Sequence, residues 1–148
     1  MTREELLDFM RGHSLVVQTS VSPAHAPQAA VVGAVVTDAF EIVFDTLTTT
    51  RKVRNLRSNP KIAFVIGGLT DGDERTAQYE GVADQPGGPE LQGLKELYFK
   101  RFPDGRERQT WPGLVYIRAR PTWIRYSDFN QNPPAIAEFT QAELAAPE

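Results

Sequence analysis

An α+β fold dominated by one antiparallel sheet, long enough to close into a small barrel, is predicted by three observations. About seven segments are rich in β-branched or alternating apolar residues, and only two or three short helical patterns interrupt them. The regular strand–helix alternation of a parallel nucleotide-binding sheet is absent, as is any Gly-x-Gly-x-x-Gly or Gly-x-x-x-x-Gly-Lys loop. At 148 residues the chain suits a single core that folds without staples.

Thr2-Arg-Glu-Glu5 has the form of a capping box, in which the Thr2 hydroxyl and the Glu5 carboxylate satisfy free amides at a helix start. The helix carries Leu6, Leu7 and Met10 and ends near Gly12. Residues 14–21 and 28–36 are β-branched runs joined by a proline-bounded hairpin loop, 23–27, and a turn over 37–39 leads to a third strand, 41–46. The hydroxyls of Thr48, Thr49 and Thr50 offer caps to a short helix bearing Val53 and Leu56 on one face, which Asn59-Pro60 stops. A continuous apolar strand follows at 61–66 and ends in Gly67-Gly68. Residues 75–84 alternate weakly, with Gly81 marking a bulge or a close backbone approach, and the proline-glycine run 85–89 breaks the strand. Leu91, Leu94, Leu97, Tyr98 and Phe102 lie on one stripe of a helix over 90–102. Two last strands are predicted at 113–120 and 122–127.

Cysteine is absent, which excludes disulfides, thiolate metal sites and a cysteine nucleophile. The two histidines, His13 and His25, are too few for a multi-histidine centre, so no metal is predicted. Met1-Thr-Arg-Glu-Glu5 places acidic residues before any apolar stretch, and no apolar run approaches the ~20 residues of a membrane span, so a cytoplasmic protein is expected, with no membrane partner. Sixteen basic against nineteen acidic residues give a net charge of −3, which argues against nucleic acid as a partner. The distribution of charge is more informative. Arg51, Lys52, Arg54, Arg57 and Lys61 fall within 51–61 without one acidic residue, whereas beyond Tyr126 Asp128, Glu138, Glu143 and Glu148 occur without Lys or Arg, and Pro133, Pro134 and Pro147 interrupt the run. The expected organisation is a domain over 1–128 and an acidic, proline-containing, loosely attached arm over 129–148.

Thr48-Thr-Thr-Arg-Lys52 is the constellation that points to chemistry. Hydroxyls, an Arg-Lys pair and the free amides of a helix start, directly after a strand, are the groups that hold a phosphate monoester, the alternative being that Arg51, Lys52, Arg54 and Arg57 form the solvated face of a surface helix. Arg54 and Arg57, one turn further on, are expected to face solvent or pair with acids.

Three stretches resemble the flavin-binding split-barrel proteins related to pyridoxamine 5′-phosphate oxidase. They are Gln28-Ala-Ala-Val-Val-Gly33, then Ile42-Val-Phe-Asp-Thr46 with Thr50-Arg-Lys52 and Asn55-Leu-Arg-Ser-Asn-Pro60, and Gln78-Tyr-Glu-Gly81. The resemblance spans about residues 5–128. It implies a split β-barrel with short flanking helices, and a homodimer with flavin mononucleotide (FMN) at the subunit interface. On this resemblance Arg51 and Lys52 hold the phosphate, Thr50 adds a hydroxyl, and Thr46 lies near the ring or ribityl chain. Val31, Val32 and Gly33 lie under the ring system, or Val31 and Val32 are apolar core residues of their strand. Gln78 either reaches the flavin or satisfies the barrel interior, and Trp123 approaches the ring from the partner or serves as packing. The family's late Arg-Leu-His-Asp-Arg run is replaced here by Trp123-Ile-Arg-Tyr-Ser-Asp128, so the small-molecule substrate stays unnamed and no residue is assigned as catalytic. Three functions stay open: an FMN-dependent oxidoreductase, a deazaflavin-dependent reductase of the same fold, and a non-catalytic flavin-binding or stress-response protein.

Overall fold

The computed structural model describes residues 1–146, so Pro147 and Glu148 of the acidic segment lie outside the described residues. α1 (Arg3–Arg11) begins at Thr2 with both halves of the capping box formed. The strands are β1 (Leu15–Val21), β2 (Pro27–Gly33), β3 (Val35–Val36), β4 (Ile42–Leu47), β5 (Lys61–Gly67), β6 (Arg75–Asp84), β7 (Leu114–Asp128) and β8 (Ala135–Thr140). α2 (Arg51–Ser58) links β4 to β5, α3 (Gly88–Arg101) and α4 (Gly105–Arg108) link β6 to β7, and α5 (Gln141–Ala145) follows β8. All pairings are antiparallel, in the order β2-β1-β5-β6-β7-β4-β3, with β8 added to β7.

The sheet curls into a half-barrel whose concave side is filled by Val16, Ile42, Phe44, Ile62, Phe64, Ile66, Tyr79, Ile117 and Ile124. Strand periodicity accounts for this set, since alternate residues of β1, β5 and β6 are buried. A second apolar layer forms where Leu94, Tyr98 and Phe99 of α3 cover Val35, Val43 and Tyr116 on the other face of β3, β4 and β7.

Three expectations are corrected. The run 28–36 divides into β2 and β3 at Ala34. The two late strands are one fifteen-residue strand, because β7 passes Pro121 at a register shift opposite Glu80 and Gly81. The bulge depends on Gly81, where a Cβ would stand 2.5 Å from the Arg120 carbonyl oxygen. The segment after 128 is also not loose: β8 pairs with β7 along its length, and Phe139 and Leu144 enter the main core.

Candidate functional site

β4 ends by turning Thr46 toward the barrel interior, where it is 8% exposed. The following turn brings Thr50 over it, with the two Oγ1 atoms 3.3 Å apart. Thr50 Oγ1 donates to the Leu47 carbonyl at 2.8 Å, so α2 starts without a side-chain cap. The threonines therefore do not cap the helix as expected, and its first-turn amides are left as donors at the positive end of the helix dipole.

Lys52 Nζ donates to Thr46 Oγ1 at 3.4 Å, and burial holds its ammonium below the ordinary value of 10.5. Arg51 beside it is exposed. Among the described residues none of the five cations of 51–61 forms an ion pair. Arg54 is turned back to the Thr49 carbonyl, and Arg57 lines a separate crevice of ≈ 250 Å³ with Asp84 and Gln85.

Arg51 and Lys52 border a groove of ≈ 360 Å³ whose other walls are Gln18, Ser20, Gln28, Ala29 and Ala30. The β1–β2 register sets Gln18 opposite Ala30 and Ser20 opposite Gln28. Asn55, 3% exposed on α2, closes the floor by donating to Ser20 Oγ at 3.1 Å and to Gln28 Oε1 at 2.6 Å. Gln18 Oε1 is buried without a hydrogen-bond partner among the described residues. Ala29 and Ala30 point to opposite faces of β2, which is the edge strand, so the groove opens along that edge.

Thr46, Thr50, Arg51 and Lys52 are thus brought together, and five other candidates lie elsewhere. Val31, 59% exposed, shares one row of the convex face with Val17, Val65 and Gln78, and Gln78 is exposed there rather than inside the barrel. Trp123 is half-buried in the adjacent row, opposite Glu80. Val32 packs against the main core, and Gly33 lies under Phe102, whose ring a Cβ would approach to 2.9 Å. Sequence reasoning missed Gln18 and Ser20. The available signal was their position: both occupy the inward set of β1, where the strand period calls for apolar side chains. His25 is exposed in the β1–β2 loop, and His13, whose Nδ1 is 2.9 Å from the Phe9 carbonyl, lines a different crevice. Among the described residues no three His, Asp or Glu side chains cluster to hold a metal ion, and no helix is long and apolar enough to cross a membrane.

The pyridoxamine 5′-phosphate oxidase family matches residues 2–128, and the chain belongs to it. No curated protein matches the chain. Among solved structures, a heme binding protein from Mycobacterium smegmatis superposes with a TM-score of 0.82 at 14% identity, covering 98% of this chain. The chain spans 60% of that protein's length. General Stress Protein 26 from Bacillus anthracis gives 0.69 at 21% identity, with 93% of this chain and 98% of the other covered. A pyridoxamine 5′-phosphate oxidase-related, FMN binding protein from Nostoc punctiforme gives 0.66 at 12% identity, over 93% and 84%. At these identities the likeness establishes the split-barrel fold.

Proposed function

We propose that this member of the pyridoxamine 5′-phosphate oxidase family binds FMN as a homodimer and acts as an oxidoreductase on a small-molecule substrate, residues 1–128 forming the cofactor-binding unit. The observation that carries the reading is a cation pair, Arg51 and Lys52, that meets no counter-ion among the described residues, at the uncapped start of α2 on the rim of a groove. A phosphate monoester supplies the missing negative charge, and the amides of the first turn and the hydroxyls of Thr46 and Thr50 add donors. When bound, the flavin supplies the hydride chemistry and needs no protein nucleophile for it. The side chains of this site bind and orient.

A ligand anchored at α2 extends along the β2 edge past Val32 and Gly33 to the convex face that carries Val31, Gln78 and Trp123. Leu15, Val31, Val65 and Val82 expose apolar surface on that face. A second copy of the chain covers such a stripe and the far side of the ring together. The separation of Arg57 from the groove favours FMN over a deazaflavin with an extended acidic tail.

Absorbance titration of the purified protein tests the reading. FMN binds far more tightly than riboflavin if the phosphate site is right, and equal affinities overturn it. Preferential uptake of deazaflavin, or of hemin with a Soret band, replaces the cofactor, and a flavin that binds without turning over any electron donor reduces the protein to a flavin store or sensor. Val65→Glu, on the convex face, is expected to yield a monomer by sedimentation with weakened FMN binding. A monomer that keeps tight FMN overturns the shared site.

A further inference from the structure

Gln18 lies in the middle of β1 with 1% of its surface exposed, and its amide oxygen accepts no hydrogen bond from the described residues. Its cross-strand neighbours, Ala30 and Phe64, have no polar side-chain atom to offer. An orphaned buried acceptor costs about 1–3 kcal/mol, and native proteins hold few of them. A leucine fills a similar space without that penalty, so packing alone does not explain an amide at this position. The same side chain lines the groove that Arg51 and Lys52 border.

The floor around it is neutral and two-signed. Asn55 donates to Gln28 Oε1 and to Ser20 Oγ, which leaves the Gln28 NH2 and the Ser20 hydroxyl proton as donors, while Gln18 Oε1 stands as an acceptor. The phosphate of a monoester, whose second pKa is about 6, is a dianion at neutral pH and has no proton for Gln18 to accept. Hydroxyls both give and take hydrogen bonds. We infer that Gln18 is a specificity-determining residue that accepts a hydrogen bond from a hydroxyl of the molecule whose phosphate rests on Arg51 and Lys52, so that the groove selects a phosphorylated polyol chain. The inference rests on the FMN reading, in which the ribityl chain supplies those hydroxyls, and it extends that reading from the charge of the ligand to its neutral middle.

Gln18→Leu tests it with two readouts that move in opposite directions. The melting temperature of the ligand-free protein is expected to rise by about 3 °C or more, because a buried unpaired acceptor is removed. Affinity for FMN and for riboflavin is expected to fall by the same factor, about tenfold, because the contact does not involve the phosphate. Arg51→Ala, in contrast, weakens FMN and leaves riboflavin unchanged. A lower melting temperature with unchanged flavin affinity makes Gln18 structural and overturns the inference, as does a higher melting temperature with unchanged affinity. Ribitol 5-phosphate separates the two layers of the reading. If wild type prefers it to inorganic phosphate and Gln18→Leu does not, the polyol inference stands even where flavin fails to bind. If wild type shows no preference for the polyol, the inference falls even where FMN binds.

Discussion

Arg118 of β7 and Arg51 of α2 stand in opposite electrostatic surroundings within the same small chain. The Arg118 side chain is 3% exposed and is held by Asp84 through two bonds, at 2.9 and 2.6 Å, by Glu90, and by Glu41 at 3.7 Å, with Arg120 completing a closed group. Arg51 is exposed, has Lys52 beside it, and meets no carboxylate among the described residues. Strand register brings Asp84 directly opposite Arg118, and α3 supplies Glu90. Among the described residues no element brings an acid into an ion pair with Arg51 or Lys52 at the start of α2. Positive charge fixes structure where the fold delivers its counter-ion, and in the proposed reading it holds a ligand where the fold withholds one. Residue type does not separate the two cases.

The largest effect that separates them is on stability. Arg118→Leu leaves Asp84, Glu90 and Glu41 facing one another and is expected to cost about 3 kcal/mol in urea unfolding, the low end for a broken buried pair because Asp84 and Glu90 reach water. FMN affinity of the folded variant stays at the wild-type value. A loss of affinity without loss of stability reverses the assignment of the two regions.

Arg51→Ala and Lys52→Ala are expected to do the opposite. Each lowers FMN affinity by about 1.5–3 kcal/mol, or one to two decades in Kd, while unfolding free energy stays within about 0.5 kcal/mol. Arg57→Ala on the same helix is the internal control, with a change in Kd of about threefold or less. Loss at Arg57 equal to that at Arg51 points to a ligand with a longer acidic tail.

The smallest effect is in the pH profile. Burial lowers the pKa of Lys52 below its ordinary 10.5, so between the lowered value and 10.5 the unfolded chain binds a proton that the folded chain has released. Stability of the ligand-free protein therefore rises with pH across that interval, whereas FMN affinity falls across it as the ammonium is lost. Affinity also weakens below the second phosphate pKa of about 6, where the dianion gains a proton. Titration of wild type against Lys52→Gln sharpens the comparison, since the variant loses the alkaline arm and keeps the acidic one. An alkaline arm that persists in Lys52→Gln assigns it to another group.

The half of the site that the sequence exposed is local. Thr46, Thr50, Arg51 and Lys52 fall within one strand end, one turn and one helical turn, so spacing alone brings them together. The other half depends on partners far apart in the chain. Asn55 meets Ser20 and Gln28 only because α2 docks on β1, and Gln18 becomes an orphan only because its register neighbours are Ala30 and Phe64. In the sequence Gln18 is no more than a polar interruption of an apolar alternation.

The capping box of α1, the alternation of β1, β5 and β6 and the stripe of α3 were determined by residues a few positions apart, through hydrogen bonds and periodicities that act along the chain. Tertiary structure decided the rest. β7 runs through Pro121 because its extra residue, Thr122, is accommodated opposite Glu80 and Gly81 of β6, and the acidic segment after 128 orders as β8 because β7 offers a free edge and the core accepts Phe139 and Leu144. The placement of Val31 and Gln78 on the convex face, away from the groove, follows from strand parity, which inverts with a shift of one residue. That parity is set by the pairing of whole strands, which spacing within one segment does not encode.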